Sequence, residues 1–358
     1  MTVGAPDVAI VGGGLIGLAT ALACADRGLR VLLSHEGRPG AASGAAAGML
    51  APSTGGATGG VASFATACRD AWPAYLDELA ERAGARVALN RLGILQIPRD
   101  TAGADRGRPS AETGSEWLDA AQVARLEPGL HAPLGARLLR DDGAVDNEHL
   151  MAALADAVAT TDRITLAGPA RGLRLQSHAT TLLLADGREC DAGCIVLAAG
   201  AWVVALGGLP RPLPVVPVRG QMIGFSAAPI RHVIEGPDAY LVPRPGRRTI
   251  AGATMEWTGF DSGTTAAAAA TLASAAGALV PRLSGVAVTE HWAGLRPMTP
   301  DQLPILGPDP DQPSLLYACG HSRNGVLMTP LTAACLAALA AGEPSPLSLA
   351  AFSVTRFG

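Results

Sequence analysis

The sequence predicts a two-domain α/β fold with one parallel and one antiparallel sheet, and three observations predict it. Residues 7–34 read strand, glycine turn, helix, strand, the unit that builds a parallel sheet with a right-handed crossover. Residues 315–341 repeat strand, glycine turn, helix late in the chain, so distant segments contribute to one sheet. Residues 214–260 carry strand-like runs punctuated by Pro and Gly, the pattern of a separate antiparallel sheet. A length of 358 residues suits two domains at about 150 residues each.

Taken in order, DVAIV at 7–11 is a β-branched run ending at glycines, a buried strand. Helical apolar spacing (Leu15, Leu18, Leu22) covers 14–28 and stops at Gly28. LRVLLS at 29–34 is a second buried strand. Residues 40–62 form a long Gly/Ala/Ser loop, and loops of that length in compact domains are usually functional. A helix is expected over 63–84, a hairpin over 86–98, and a polar Gly/Asp/Arg loop over 99–116. Residues 147–160 are helical, and 182–184 and 194–197 are strands, the latter running into AAGAW. An Ala-rich helix covers 262–280, a strand 315–319 and a helix about 325–341.

Composition excludes whole chemistries. All 27 basic residues are arginine. Without lysine there is no Schiff-base enzyme, no Walker phosphate loop and no kinase ATP lysine. A net charge of −4 without basic clusters argues against nucleic acid as a partner. The uncharged stretches at 263–280 and 324–341 read as packed helices, so no membrane span is expected. Cys24, Cys68, Cys190, Cys194, Cys319 and Cys335 show no Cys-x2-Cys pair, which argues against a metal. Scattered thiols and no secretion signal point to the cytoplasm.

The chemistry begins at Gly12-Gly13-Gly14-Leu15-Ile16-Gly17. Gly12 permits the tight turn, Gly14 admits a pyrophosphate, and Gly17 lets the helix pack on the strand. The helix N-terminus then presents its unpaired N–H groups to the phosphates. A strand before and a helix after give this turn the context of a dinucleotide-binding, Rossmann-like unit. The position at the end of the second strand where a ribose-binding acid is expected holds His35 instead, with Glu36 one residue late; a strand-end bulge would swing Glu36 in, and otherwise His35 makes the contact. Arg296 lies in an apolar segment and needs an anionic partner, either a bound carboxylate or Asp301 or Glu290.

GGGLIG is followed by AAAGMLAP at 45–52, LAAGAW at 197–202, PVRGQM at 217–222, YLVPR at 240–244, GATM at 252–255, WAGLRPMTPDQLPILG at 292–307 and GHSRNG at 320–325. In this order, from residue 7 to about 341, the chain resembles the FAD-dependent amine oxidases of the D-amino-acid oxidase class. Among these it is most similar to the glycine oxidases of thiamine biosynthesis. The resemblance implies an FAD domain of 1–85, 145–215 and 295–358, with an antiparallel substrate domain of 86–144 and 216–294. FAD would be held by the Gly12–Gly17 turn, including Leu15 and Ile16, and by His35 or Glu36. The loop residues Ala42, Ser43, Ala47, Gly48 and Met49 would approach its ring, and Ala170 would join them. The Gly320 turn would add His321, Ser322, Asn324, Gly325, Val326 and Leu327, whose helix N-terminus stabilises negative charge on the reduced ring. His321 reads as a loop histidine rather than a base.

On the substrate side the resemblance implies that Arg296 binds the carboxylate bidentately, with Arg323 a second candidate. Tyr240 would lie over the substrate and Met255 would line the pocket. Gly294 stands where the covalent sarcosine oxidases carry their flavin-linking cysteine, so FAD is expected to be non-covalent. Ser322 replaces an aromatic common in glycine oxidases, which would enlarge the pocket and leave a hydroxyl in need of a partner. The implied reaction converts a small amino acid and oxygen to imine, then keto acid, with hydrogen peroxide. Alternatives are a dehydrogenase serving a non-oxygen acceptor, a non-catalytic FAD-binding protein, and an NAD-dependent dehydrogenase, which the motifs beyond GGGLIG disfavour. Assembly as a homo-oligomer stays open.

Overall fold

A computed structural model describes residues 5–54, 58–107, 114–176, 180–227 and 229–358. The run Val8–Val11 is an inner strand of a six-stranded sheet. Its order is Ile305–Pro308, Leu315–Cys319, Cys194–Leu197, Val8–Val11, Val31–Ser34, Ile164–Ala167. Only Ile305–Pro308 runs antiparallel to its neighbour. Both faces of this sheet are covered, which is why VAIV, CIVL and LLYAC are continuous apolar runs rather than alternating ones.

On one face the helices Leu15–Asp26, Gly59–Ala83 and Gly325–Ala340 pack against one another around Leu22, Trp72 and Leu336. The last helix is apolar on all sides and contains Pro330, because sheet and helices surround it. Trp72 is fully buried and donates its indole N–H to the Leu327 carbonyl (3.1 Å). On the other face sits a three-stranded antiparallel sheet of Ala170–Leu175, Thr180–Leu184 and Glu189–Ala192. The strand expected at 182–184 therefore belongs to this cover and not to the parallel sheet.

The second large sheet has eight strands. Their order is Val288–Met298, Val216–Phe225, Arg248–Gly252, Tyr240–Arg244, Val233–Glu235, Ile94–Gln96, Ala136–Leu139, Ser115–Leu118. Every neighbouring pair is antiparallel except Val233–Glu235 with Ile94–Gln96. Leu95, Ile223, Ile234, Leu241 and Ala251 point to one face and pack with Leu272, Ala276 and Leu279 of the helix Ala266–Leu279. Met222, Val233 and Val242 point to the opposite face with Tyr240 and Trp292 packed beside them. The period-2 alternation of the strands thus separates a structural face from the face that carries the site.

Residues 86–98 do not form the expected hairpin. Leu89–Asn90 pairs with Gly143–Val145, whereas Ile94–Gln96 pairs with Ala136–Leu139 and Val233–Glu235. Gly93 turns the chain at φ +102, close against Leu138 and Leu139, and sends its two flanks into different sheets. The loop expected at 40–62 contains the short helix Ala42–Ala45 and the strand Met49–Leu50. In the polar loop expected at 99–116, Thr101–Gly107 is helical and 108–113 lie outside the described residues.

All six cysteines are unpaired and buried. Burial pushes the thiols of Cys24, Cys194 and Cys319 up to about 12. Among the described residues no helix is long and apolar enough to cross a membrane, and no cluster of His, Cys, Asp and Glu is placed to hold a metal.

Candidate active site

A cavity of about 1020 Å³ runs from the Gly12 turn of the parallel sheet to the inner face of the eight-stranded sheet. At its first end Gly12 takes φ +118, and a Cβ there would stand 2.3 Å from the Ala198 carbonyl oxygen. A Cβ on Gly14 would meet Ser43 Oγ at 2.8 Å, the same oxygen that accepts the Leu15 N–H (3.0 Å). Gly12, Gly14, Leu15 and Ile16 line the cavity. Gly17 does not; its missing side chain lets the helix close on the Gly12 carbonyl. This is the bare-backbone cradle at a helix N-terminus that a pyrophosphate requires.

His35 and Glu36 both line the next stretch. The His35 imidazole lies over Gly13, where a Cβ would be 2.2 Å from Nδ1. Glu36 is ion-paired with Arg38. Ala170 lies on the same wall.

The small-residue loop Ala42–Met49 forms the middle of the cavity and is tied down by groups that sequence reasoning did not single out. Arg244 is buried and donates to the carbonyls of Val145 (2.6 Å) and Ala47 (2.8 Å) and to Asn147 Oδ1 (2.5 Å). Asn147 in turn donates to Ser43 O (2.9 Å), and Trp292 Nε1 to Ala45 O (3.1 Å). Gly48 adopts φ +73 and packs on the Val145 carbonyl. Arg244 and Trp292 fall within the quoted YLVPR and WAGLRPMTP motifs, which were the signal available for them. Nothing in the sequence pointed to Asn147.

Opposite, the turn after Leu315–Cys319 delivers His321, Ser322, Arg323, Asn324, Gly325 and Val326 to the cavity wall. Leu327 is one residue too deep; it is 1% exposed and faces the core. Ser322 takes φ +50, and its N–H bonds the Pro297 carbonyl (2.9 Å). Its hydroxyl donates to Gly320 O (3.2 Å), so the expected unpartnered hydroxyl is corrected: the turn itself satisfies it.

His321 is buried, with Nε2 3.4 Å from Thr332 Oγ1, and burial lowers its pKa to about 3. It is therefore neutral at neutral pH. Because the unfolded chain binds a proton near pH 6.5 and the native ring does not, stability falls as pH drops through this window. Between pH 6.5 and 5 this costs roughly 2 kcal/mol. Urea titrations at pH 7 and pH 5 should show a wild-type loss about 2 kcal/mol larger than that of His321→Gln. Equal losses reject this account.

The substrate end is a row across the eight-stranded sheet. Trp292, Met222, Gly252, Tyr240, Glu235 and Gln96 are direct partners from strand to strand and so share one face. Tyr240 leans over Gly252, where a Cβ would lie 2.7 Å from its hydroxyl, and the hydroxyl donates to Met222 Sδ (3.7 Å). Arg296 lies over Gly220, where a Cβ would be 2.2 Å from Nη1. Its Nη1 donates to the Thr254 carbonyl (3.1 Å). Neither acid named as a partner reaches it. Asp301 pairs with Arg356 (2.7 Å), and Glu290 with Arg248 (2.6 Å). Burial raises the Tyr240 pKa, and the charges of Arg296 and Arg323 oppose it. Met255 is 43% exposed and lies outside the cavity. Sequence reasoning also missed Glu235 on this floor, and Arg248, which bridges Glu148 and Glu290 and stacks on Trp292 at the rim.

The geometry is that of a dinucleotide channel ending at a cationic, aromatic-lined floor. A family model described as FAD dependent oxidoreductase matches residues 7–339. The chain belongs to this family of FAD dependent oxidoreductases. A glycine oxidase of Geobacillus kaustophilus is 34% identical over 98% of this chain and 97% of its own length. The crystal structure of glycine oxidase from that organism aligns with a TM-score of 0.90, covering 98% of both chains. A bifunctional protein ThiO/ThiG of a Synechocystis species is 36% identical over 98% of this chain; the chain spans 54% of that relative's length. The crystal structure of iminodiacetate oxidase from a Chelativorans species gives a TM-score of 0.88 at 28% identity, covering 97% and 98% of the two chains. In this oxidoreductase the bare backbone at Gly12 and Gly14, the small-residue loop Ala42–Met49 and the helix N-terminus at Gly325 line one continuous cavity, a lining that fits FAD and would hold it.

Proposed function

We propose that the chain oxidises a small amino acid (glycine, sarcosine or a D-amino acid) to its imine, with FAD as hydride acceptor and oxygen as final acceptor. The observation that carries this reading is Arg296, a cation on the cavity floor beside Tyr240 that has no carboxylate partner among the described residues. FAD, when bound, supplies the acceptor for the α-carbon hydride. The chain's own residues do the positioning. Arg296 takes the substrate carboxylate in a bidentate contact, and the Tyr240 hydroxyl turns from Met222 to the same anion. The carboxylate thereby aims the α-carbon at the middle of the cavity. Burial holds the His321 ring neutral, and it takes no part as a base; the substrate reacts as the neutral amine. The Ala42–Met49 loop and the Trp292 wall exclude water around the α-carbon.

Similarity to the glycine oxidases and to ThiO/ThiG supports glycine as the first substrate and a role in making the thiazole of thiamine. His35, stacked over Gly13, is our choice for the ribose contact because Arg38 already engages Glu36. Six buried, unpaired thiols favour the cytoplasm. The test is anaerobic bleaching of the flavin by glycine, sarcosine, D-alanine, D-proline and L-alanine. Bleaching by at least one of the first four is expected. Bleaching by L-alanine alone, or by none, rejects the reading.

The link between protein and FAD gives a separate expectation. A side chain at Gly294 would meet Ala45 Cβ at 2.5 Å, and no cysteine stands there. Acid precipitation should therefore release all the flavin, as FAD. Flavin left in the pellet contradicts a non-covalent site.

A further inference from the structure

Glu235 is a carboxylate on the cavity floor for which the reaction above has no use. It is the direct cross-strand partner of Tyr240, on the side of the ring away from Gly252, and it lines the same cavity as Arg323. Gln96 Nε2 donates to its Oε2 (3.1 Å). Among the described residues its Oε1 accepts no hydrogen bond, and no arginine lies within ion-pair distance of it. Burial raises its pKa and the Asp142 charge adds to the rise, while the Gln96 bond and the Arg323 charge favour the ionised form. The other charged groups lining the cavity are already paired: Glu36 with Arg38, and Arg248 with Glu148 and Glu290. The Arg248 group stacks on Trp292, four strands from Glu235 in the sheet order.

We infer that Glu235 sets how many carboxylates the pocket accepts. Two guanidinium groups, Arg296 and Arg323, and one carboxylate leave a net charge of +1, the complement of one substrate carboxylate. Without Glu235 the same pocket carries +2 and complements a dicarboxylate. A second carboxylate arm, extending from an anchor on Arg296 past Tyr240, would find Arg323 with its field already offset by Glu235. An amino acid with a neutral or absent side chain meets no such penalty. Glu235 thus selects by repulsion, which discriminates without adding contacts to the preferred substrate.

The inference rests on the oxidase reading only for placing a carboxylate at Arg296, so its test uses binding rather than turnover. The probes are methoxyacetate and diglycolate, ethers carrying one and two carboxylates and no amine to oxidise. Their dissociation constants are read from the shift each causes in the visible spectrum of the bound flavin, at about pH 8, well above the ordinary carboxylate range. Wild-type protein should prefer methoxyacetate. Glu235→Gln keeps the size and the Gln96 contact, and should move the ratio about tenfold toward diglycolate, the order expected for removing one nearby charge from a protein pocket. Arg323→Gln, at an exposed position, should move it the other way. A ratio unchanged in both variants, with glycine still bleaching the wild type, overturns the inference and leaves the oxidase reading standing. The predicted shifts in a protein that no amine bleaches support the inference and reject the oxidase. Wild-type protein that binds neither probe overturns both.

Discussion

Replacing Arg296 by alanine is expected to lower kcat/KM for the preferred amino acid roughly 10- to 100-fold while FAD content stays normal. The change removes charge-assisted hydrogen bonds to the substrate carboxylate worth about 1.5–3 kcal/mol, at about 1.4 kcal/mol per tenfold. Structurally it removes little else. Arg296 donates to the Thr254 carbonyl, interacts with the Tyr240 hydroxyl and lies in a hollow left by Gly220. Arg296→Lys should recover only part of the loss, because an ammonium cannot reproduce the forked contact. Steady-state kinetics with the substrate found by bleaching would measure both. An unchanged kcat/KM removes Arg296 from carboxylate binding, and loss of the fold would make it a structural residue.

Arg244→Ala is expected to act on stability, by about 3–5 kcal/mol, the usual cost of breaking a buried charge network. Its guanidinium satisfies Val145 O, Ala47 O and Asn147 Oδ1 and lies 3.9 Å from Asp146. Alanine leaves these acceptors buried and unpaired. The first two belong to the segments that shape the middle of the cavity, so FAD retention should fall as well. Urea denaturation should show a lower midpoint at an unchanged slope. A midpoint equal to wild type would mean that water replaces the arginine without loss.

Elements whose burial is decided by their own sequence were legible. The apolar run and glycines at 7–17 gave the Val8–Val11 strand and the Leu15–Asp26 helix, and the strand at 315–319 matched residue for residue. The 86–98 hairpin failed because two adjacent short strands read as partners, while register across a sheet depends on segments far away, here Gly143–Val145 and Val233–Glu235. The site divides in the same way. Backbone cradles announce themselves through glycine, and Arg296 stood out as a charge in an apolar segment. Glu235 and Asn147 did not, because a lone acid before Gly-Pro and an amide at a helix start look like ordinary surface residues. Only the row Trp292–Met222–Gly252–Tyr240–Glu235 shows that Glu235 belongs to the floor.

The six thiols lie on the strands and helices around the parallel sheet, and none lies on the eight-stranded one. All are shielded, and three titrate only near 12, so an alkylating reagent finds no reactive sulfur in the folded chain. Labelling therefore acts as a clock for opening of one half of the molecule. Its rate, compared with hydrogen exchange of the backbone amides in the eight-stranded sheet, would reveal whether the nucleotide-cradling half and the substrate floor come apart together or one before the other. Ligands that bridge the two would slow both, whereas ligands held by one half would slow only that half.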